Sequence, residues 1–339
     1  MNRLIVVMVV PVTAIILVAI FLSDEVTPEP ALFGHDQCTV VEVTDSRYRP
    51  LSGIEDLALL PRGELILSSY NRHLPSAPAR GLNTVAISAL LEGNSSVFTR
   101  PIQGTQITFG TLLPHGIAVD RSGNRLALVN RKVRDGTALV AWGTLGPDGF
   151  RERGRWEAPE ACRANDVAWR GAEVVVTLDR ASCEWSMSDL MPGAATGSVM
   201  TLGFGRAELM ADGLAWANGV TLDGGTVLVA ETRANRITNM SDGSFTEFSG
   251  GPDNVNPGPN STQIVALHPD LFDYWLYSMQ YASTAPSRIV AWSPATGQQE
   301  VLFDDPFGEV FSGATSAIYS NNTLVAGSAY GQGLLVCRR

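Results

Sequence analysis

Basic residues are scarce in this chain, and lysine is nearly missing: Lys132 is the only one among 339 residues. Arginine and lysine together number 24 against 34 acidic residues, a formal net charge of −10. Binding along a nucleic-acid backbone needs positive surface, so that class of partner is excluded. Histidine is as rare. His35, His73, His115 and His268 are too few for a histidine-built zinc cluster and leave little for a catalytic triad. No G-x-S-x-G elbow, H-E-x-x-H, P-loop or complete G-x-G-x-x-G occurs, and their absence sets aside the chemistries those motifs carry. Amphipathic helical periodicity is lacking too, beyond the first residues. What the chain does have is 45% hydrophobic residues and 8% aromatics, enough for a full core, with 33 glycines and 19 prolines for many turns.

The amino terminus differs from the rest. Residues 4–22 form an uncharged apolar run of 19, close to the ~20 a membrane-spanning helix needs. Arg3 precedes it and Asp24 and Glu25 follow, which orients everything after residue 22 out of the cytoplasm. A cleaved signal peptide is the rival reading, and it would make the protein secreted. Val18-Ala19-Ile20 and Phe21-Leu22-Ser23 are poor cleavage sites, so an uncleaved anchor is expected over 1–22. Residues 23–33, with Pro28 and Pro30, read as a stiff linker to a globular domain over 34–339. Export gives the four cysteines meaning, since an even number in an oxidising compartment points to disulfides in one of three pairings. Joining Cys38 to Cys337 would tie the domain's ends together; buried free thiols are the alternative. Whether Cys162 and Cys183 pair stays open.

Period-2 apolar alternation dominates the globular part. Glu64–Ser69, Arg125–Asn130, Glu173–Leu178, Thr226–Glu231 and Thr323–Ser328 read as strands, each after a turn signal such as Asp223-Gly224-Gly225 or Asn321-Asn322. A short apolar strand precedes each turn. At the head of these first strands stand Glu55-Asp56, His115-Gly116, Asn165-Asp166, Asn218-Gly219, Asp253-Asn254 and, less clearly, Ser316-Ala317, about 52 residues apart on average. Such a period in an all-β chain marks a β-propeller with one four-stranded blade per repeat. Six pairs predict a six-bladed β-propeller preceded by an N-terminal transmembrane anchor helix.

Innermost propeller strands line a central channel, so the six pairs should converge on its axis. Singly, each is an ordinary turn dipeptide or solvated edge. Turn chemistry, however, does not require side chains that meet on an axis. Oxygen donors without cysteine or clustered histidine suit calcium, which takes six to eight oxygens. Glu55, Asp56, Asp166 and Asp253 would repel one another without counter-ions, which predicts two calcium ions. Only His115 among the histidines falls on the ring.

The same segments carry a family resemblance. GIEDLALLPRGELILSS at 53–69, PHGIAVD at 114–120, ANDVAW at 164–169, ANGVTLDGGTVLVAET at 217–232, PDNVN at 252–256 and SGATSAIYSNNTLVAGSAYGQGLLVC at 312–337 resemble the paraoxonase/arylesterase family. Single motifs such as ANG are shared with strictosidine synthase-like and gluconolactonase-like propellers. The resemblance implies a catalytic calcium held by Glu55, Asn165, Asn218, Asp253 and Asn254. It implies a structural calcium on Asp56, Asp166 and the carbonyl of Ile117, water activation by His115, and a Cys38–Cys337 disulfide. One departure is Val129-Asn130-Arg131, where the family places a second histidine after V-N; an arginine cannot relay a proton and lowers the pKa of a nearby imidazole. Cys162 and Cys183 have no counterpart in the family.

The expected activity is calcium-dependent hydrolysis of lactones and carboxylic esters without a covalent intermediate. Lipophilic lactones such as acyl-homoserine lactones lead, and aryl esters follow. Two alternatives stand beside it: a non-catalytic propeller whose rim binds a partner, and a sugar-lactone hydrolase preferring polar substrates.

Overall fold

The fold follows from six repeats of one local event, a strand that turns back on itself and buries its return leg. In the computed structural model, which describes residues 26–105, 112–131, 138–184 and 194–339, each repeat opens a four-stranded antiparallel sheet. The innermost strands are Ile54–Leu59, Pro114–Val119, Ala164–Arg170, Ala217–Asp223, Gly251–Pro257 and Ala314–Ser320. Each contacts the innermost strand on either side, closing a ring. The result is the expected all-β six-bladed propeller.

Turn chemistry sets each hairpin. Ser320 pairs with Thr323, leaving Asn321-Asn322 as a two-residue loop with φ of 49° and 57°. Positive φ at both positions matches the twist of the flanking strands, and asparagine tolerates it. The second strands depart from the alternation read in the sequence. Residues 65–69, 126–130, 174–178 and 227–231 are buried at every position, because each run is sandwiched between two neighbouring blades. A strand covered on both faces reads as a continuous apolar run. The core accordingly lies between blades, as where Leu57, Leu65 and Leu67 meet Ile318, Val325 and Leu334. Each such side chain contributes about 1.5–3 kcal/mol.

The chain's ends close the ring. Cys38–Thr44 completes the sixth sheet beside Leu334–Arg338, and Ser96–Phe98 adds to its outer side in parallel. Cys38 lies opposite Cys337 in the register, and the two form a disulfide. Cys162 and Cys183 form a second one, and no free cysteine remains.

Three expectations change. The sixth pair is shifted by one residue: the ladder slips between Ala314 and Ser316, so the pair is Thr315-Ser316 and not Ser316-Ala317. A helix, Leu271–Ser278, stands between the second and third strands of blade five, where Asp270 caps it by accepting from the amides of Phe272 and Asp273. Its run of aromatics hid it, since none of its residues is buried to give an apolar face. The segment read as a stiff linker is docked from Thr27 onward. Leu32 and Phe33 donate their amides to Val301 and Leu302, and Arg288 holds Glu29 and the carbonyl of Thr27. The anchor expected over 1–22 lies outside the described residues, among which no helix is long and apolar enough to cross a membrane.

Candidate cation-binding and active site

Every innermost strand slips register at its head, and the slips fall on the repeated pairs. A bulge frees residues from the ladder and re-aims them. The first members, Glu55, His115, Asn165, Asn218, Asp253 and Thr315, are all buried, as are the second members Asp56, Asp166, Asn254 and Ser316. Thus the six blades bring acids, amides and one imidazole to the ends of strands that encircle one channel.

The carboxamides are oriented from behind. Thr232 donates its hydroxyl proton to the carbonyl of Pro252 (2.7 Å), so toward Asn218 it can only accept, taking Nδ2–H at 3.1 Å. Asn254 donates Nδ2–H to the Glu55 carbonyl (3.2 Å) and to its Oε1 (3.0 Å), and Asn165 turns Nδ2 toward Asp179 at 3.5 Å. With nitrogens committed, Oδ1 of Asn165, Asn218 and Asn254 is left buried without a donor, and so is Oε2 of Glu55. Four buried acceptors without donors are costly unless ordered water or a cation satisfies them. Among the described residues no three His, Cys, Asp or Glu side chains gather as a metal site; three of these four oxygens belong to amides. Such a hard oxygen set fits calcium rather than a softer metal.

The second layer is bonded differently. Asp56 accepts from the amide of Leu57 (2.7 Å), from the Ser316 hydroxyl (2.9 Å) and, across the blade boundary, from the amide of Ile117 (2.8 Å). Ile117 thus meets Asp56 through its N–H, a contact separate from the carbonyl expected to serve a cation. Asp166 accepts from the amides of Val167 (2.7 Å) and Val220 (2.8 Å). Burial, then the charge of Glu55, pushes Asp56 up to about 8; burial, then the charge of Asp56, pushes Asp166 far above the usual carboxylate range. Like charges this close need a cation or protons.

His115 has neighbours the sequence did not reveal. Its Nδ1 lies 3.0 Å from Glu55 Oε2 and 3.0 Å from Arg72 Nη2. Guanidinium only donates, so Nδ1 accepts from Arg72 and Glu55 Oε2 gains no hydrogen bond there. Burial, then the charge of Arg131, lowers the imidazole to about 4 against the pull of Glu55. Burial opposes ionisation of Glu55, and the charge of Arg72 and the Asn254 amide pull its pKa below the usual carboxylate range. Arg131 itself ion-pairs with Asp179 at 2.7 Å, the same carboxylate that faces Asn165. Arg131 thus supports a ring amide through Asp179. His268 was also missed: its Nε2 lies 2.8 Å from Asp253 Oδ2, its ring stacks on Tyr274, and both it and Asp253 are buried. Arg72, Arg131, Asp179, Thr232 and His268 all stand at or just beyond the end of a second strand. A polar residue recurring there with the blade period was the available signal.

No family model and no curated protein matches the chain. Solved structures do. A protein provisionally assigned as a gluconolactonase shares 12% identity over 91% of this chain and 94% of its own, with a TM-score of 0.51. A TolB-type protein from Agrobacterium tumefaciens shares 15% identity over 84% of this chain and 89% of its own, with a TM-score of 0.50. At such identities the likeness establishes the propeller fold.

Proposed function

We propose that the protein is a calcium-dependent hydrolase of lactones and aryl esters, a reading carried by the four buried ring oxygens that lack donors. Glu55, Asn165, Asn218 and Asn254, with Asp253, would hold the catalytic ion, and Asp56 and Asp166 with the carbonyl of Ile117 a structural one. Calcium bound there supplies Lewis-acid polarisation of an ester carbonyl, worth several kcal/mol. Glu55 and Asp253 bring the negative charge that retains a divalent ion, and His268 fixes the carboxylate of Asp253 from behind. His115 is neutral near pH 7 and is the base for the attacking water; it takes that role when Nδ1 is released by Arg72. The carboxylate of Glu55, 3.0 Å away, then stabilises the imidazolium that forms. Two disulfides and the apolar run at 4–22 support an extracytoplasmic, membrane-anchored domain.

The test is turnover of γ-lactones and phenyl acetate by the protein lacking only residues 1–25, with calcium and with EGTA, beside Glu55→Gln and His115→Gln. Loss of activity in EGTA with recovery on adding calcium is expected, together with at least a hundredfold loss in either variant. Undiminished hydrolysis in EGTA sinks the proposal. A folded, calcium-binding protein that turns over no ester would leave the partner-binding propeller as the better reading.

A further inference from the structure

Beside the ring, a cleft of about 490 Å³ opens between blades one, five and six. Its wall includes Arg72, His73, Asn71, Gln280, Gln332 and Tyr330, and among the described residues no aspartate or glutamate lines it. In a chain of net charge −10, an acid-free cleft walled by arginine and histidine is a local exception.

Arg72 connects the cleft to the ring. Its Nη1 donates to the carbonyls of Gly53 (3.3 Å) and Ala329 (3.0 Å), and its Nη2 donates to His115 Nδ1. The ring of Tyr70 lies 4.5 Å from the guanidinium carbon, and that of Tyr330 5.9 Å. Three of its five N–H groups thus have acceptors, leaving Nε–H and one Nη2–H. Arg131, by contrast, has Asp179 as its counter-ion, whereas Arg72 makes no ion pair with any carboxylate among the described residues. Glu55, whose charge it feels, is the carboxylate assigned to the cation. A half-buried guanidinium facing a cleft, beside a cation site and with two N–H groups free of acceptors, can take an anion from outside.

We infer that the cleft receives the carboxylate of the substrate: the preferred esters are lactones that carry a carboxylate beside the ring to be opened, bound through Arg72. This rests on the lactonase reading and narrows it, and it displaces the expectation of lipophilic acyl chains.

The experiment compares 5-oxotetrahydrofuran-2-carboxylate with its neutral carboxamide as substrates for wild type, Arg72→Gln and Arg72→Lys, with thermal melts confirming that each variant folds. Expected is at least a tenfold higher kcat/KM for the acid in wild type, a preference abolished in R72Q and partly kept in R72K. Equal turnover of acid and amide by wild type, or an unchanged preference in R72Q, overturns the inference and leaves the lactonase reading intact. If neither compound is hydrolysed, the lactonase reading fails, and calorimetric binding of the lactone carboxylate decides the cleft. At least tenfold weaker binding in R72Q upholds the anion site; no binding to wild type, or equal binding to both, overturns it.

Discussion

At the scale of single residues, the ring amides owe their direction to a hydroxyl, a carboxylate and a backbone carbonyl rather than to their own sequence context. Thr232 is the sharpest case, because its one proton is already given to Pro252. Thr232→Val keeps the shape and removes the acceptor that holds Asn218 Nδ2, so Asn218 Oδ1 is no longer fixed. Groups placed behind metal ligands typically matter about 10–100-fold in affinity. A calorimetric calcium titration of T232V should show a drop of that order, with a stability cost of about 1–3 kcal/mol from the unpaired amide. Calcium affinity equal to wild type would reduce Thr232 to a blade-to-blade tie. The ring was legible because acids and amides recur at blade spacing. Arg72, Asp179 and His268 were not, since a polar residue after an apolar strand reads as the ordinary start of a loop until the register shows which ring member it faces.

Among the strands, the bulges that present the pairs also decide which pairs contain glycine. A Cβ on Gly116 would lie 2.4 Å from the Cα of Asp166, 2.4 Å from its Oδ1 and 2.6 Å from the carbonyl of Asn165. Backbone of the next blade fills the space, so the clash cannot be relieved by turning a side chain. Gly116→Ala should therefore destabilise the protein by about 1–3 kcal/mol, read as a lower urea midpoint, and should do so with or without calcium. A midpoint equal to wild type would mean that blades two and three can separate at no cost. The hairpins themselves were readable from turn dipeptides and apolar runs. The sixth pair was misplaced because Thr315, Ser316 and Ala317 are all small, and only the slip in the ladder tells which of them takes the ring position.

For the molecule as a whole, closure depends on one strand borrowed from the other end of the chain. The Cys38–Cys337 bond locks that pairing across 299 residues. Replacing both cysteines by serine should lower stability by about 2–4 kcal/mol, seen as a lower denaturant midpoint under non-reducing conditions. An unchanged midpoint would show that strand pairing alone keeps the circle shut. During synthesis Cys38–Thr44 emerges long before its partner Leu334–Arg338, with 299 residues separating the two bonded cysteines. Between blades six and one, the Thr315 hydroxyl reaches the Glu55 carbonyl and the Ser316 hydroxyl reaches Asp56. A nascent chain still short of its final strand holds all the acids and amides but not the enclosure that makes them a pocket, so the earliest-made acids must wait for the latest-made residues.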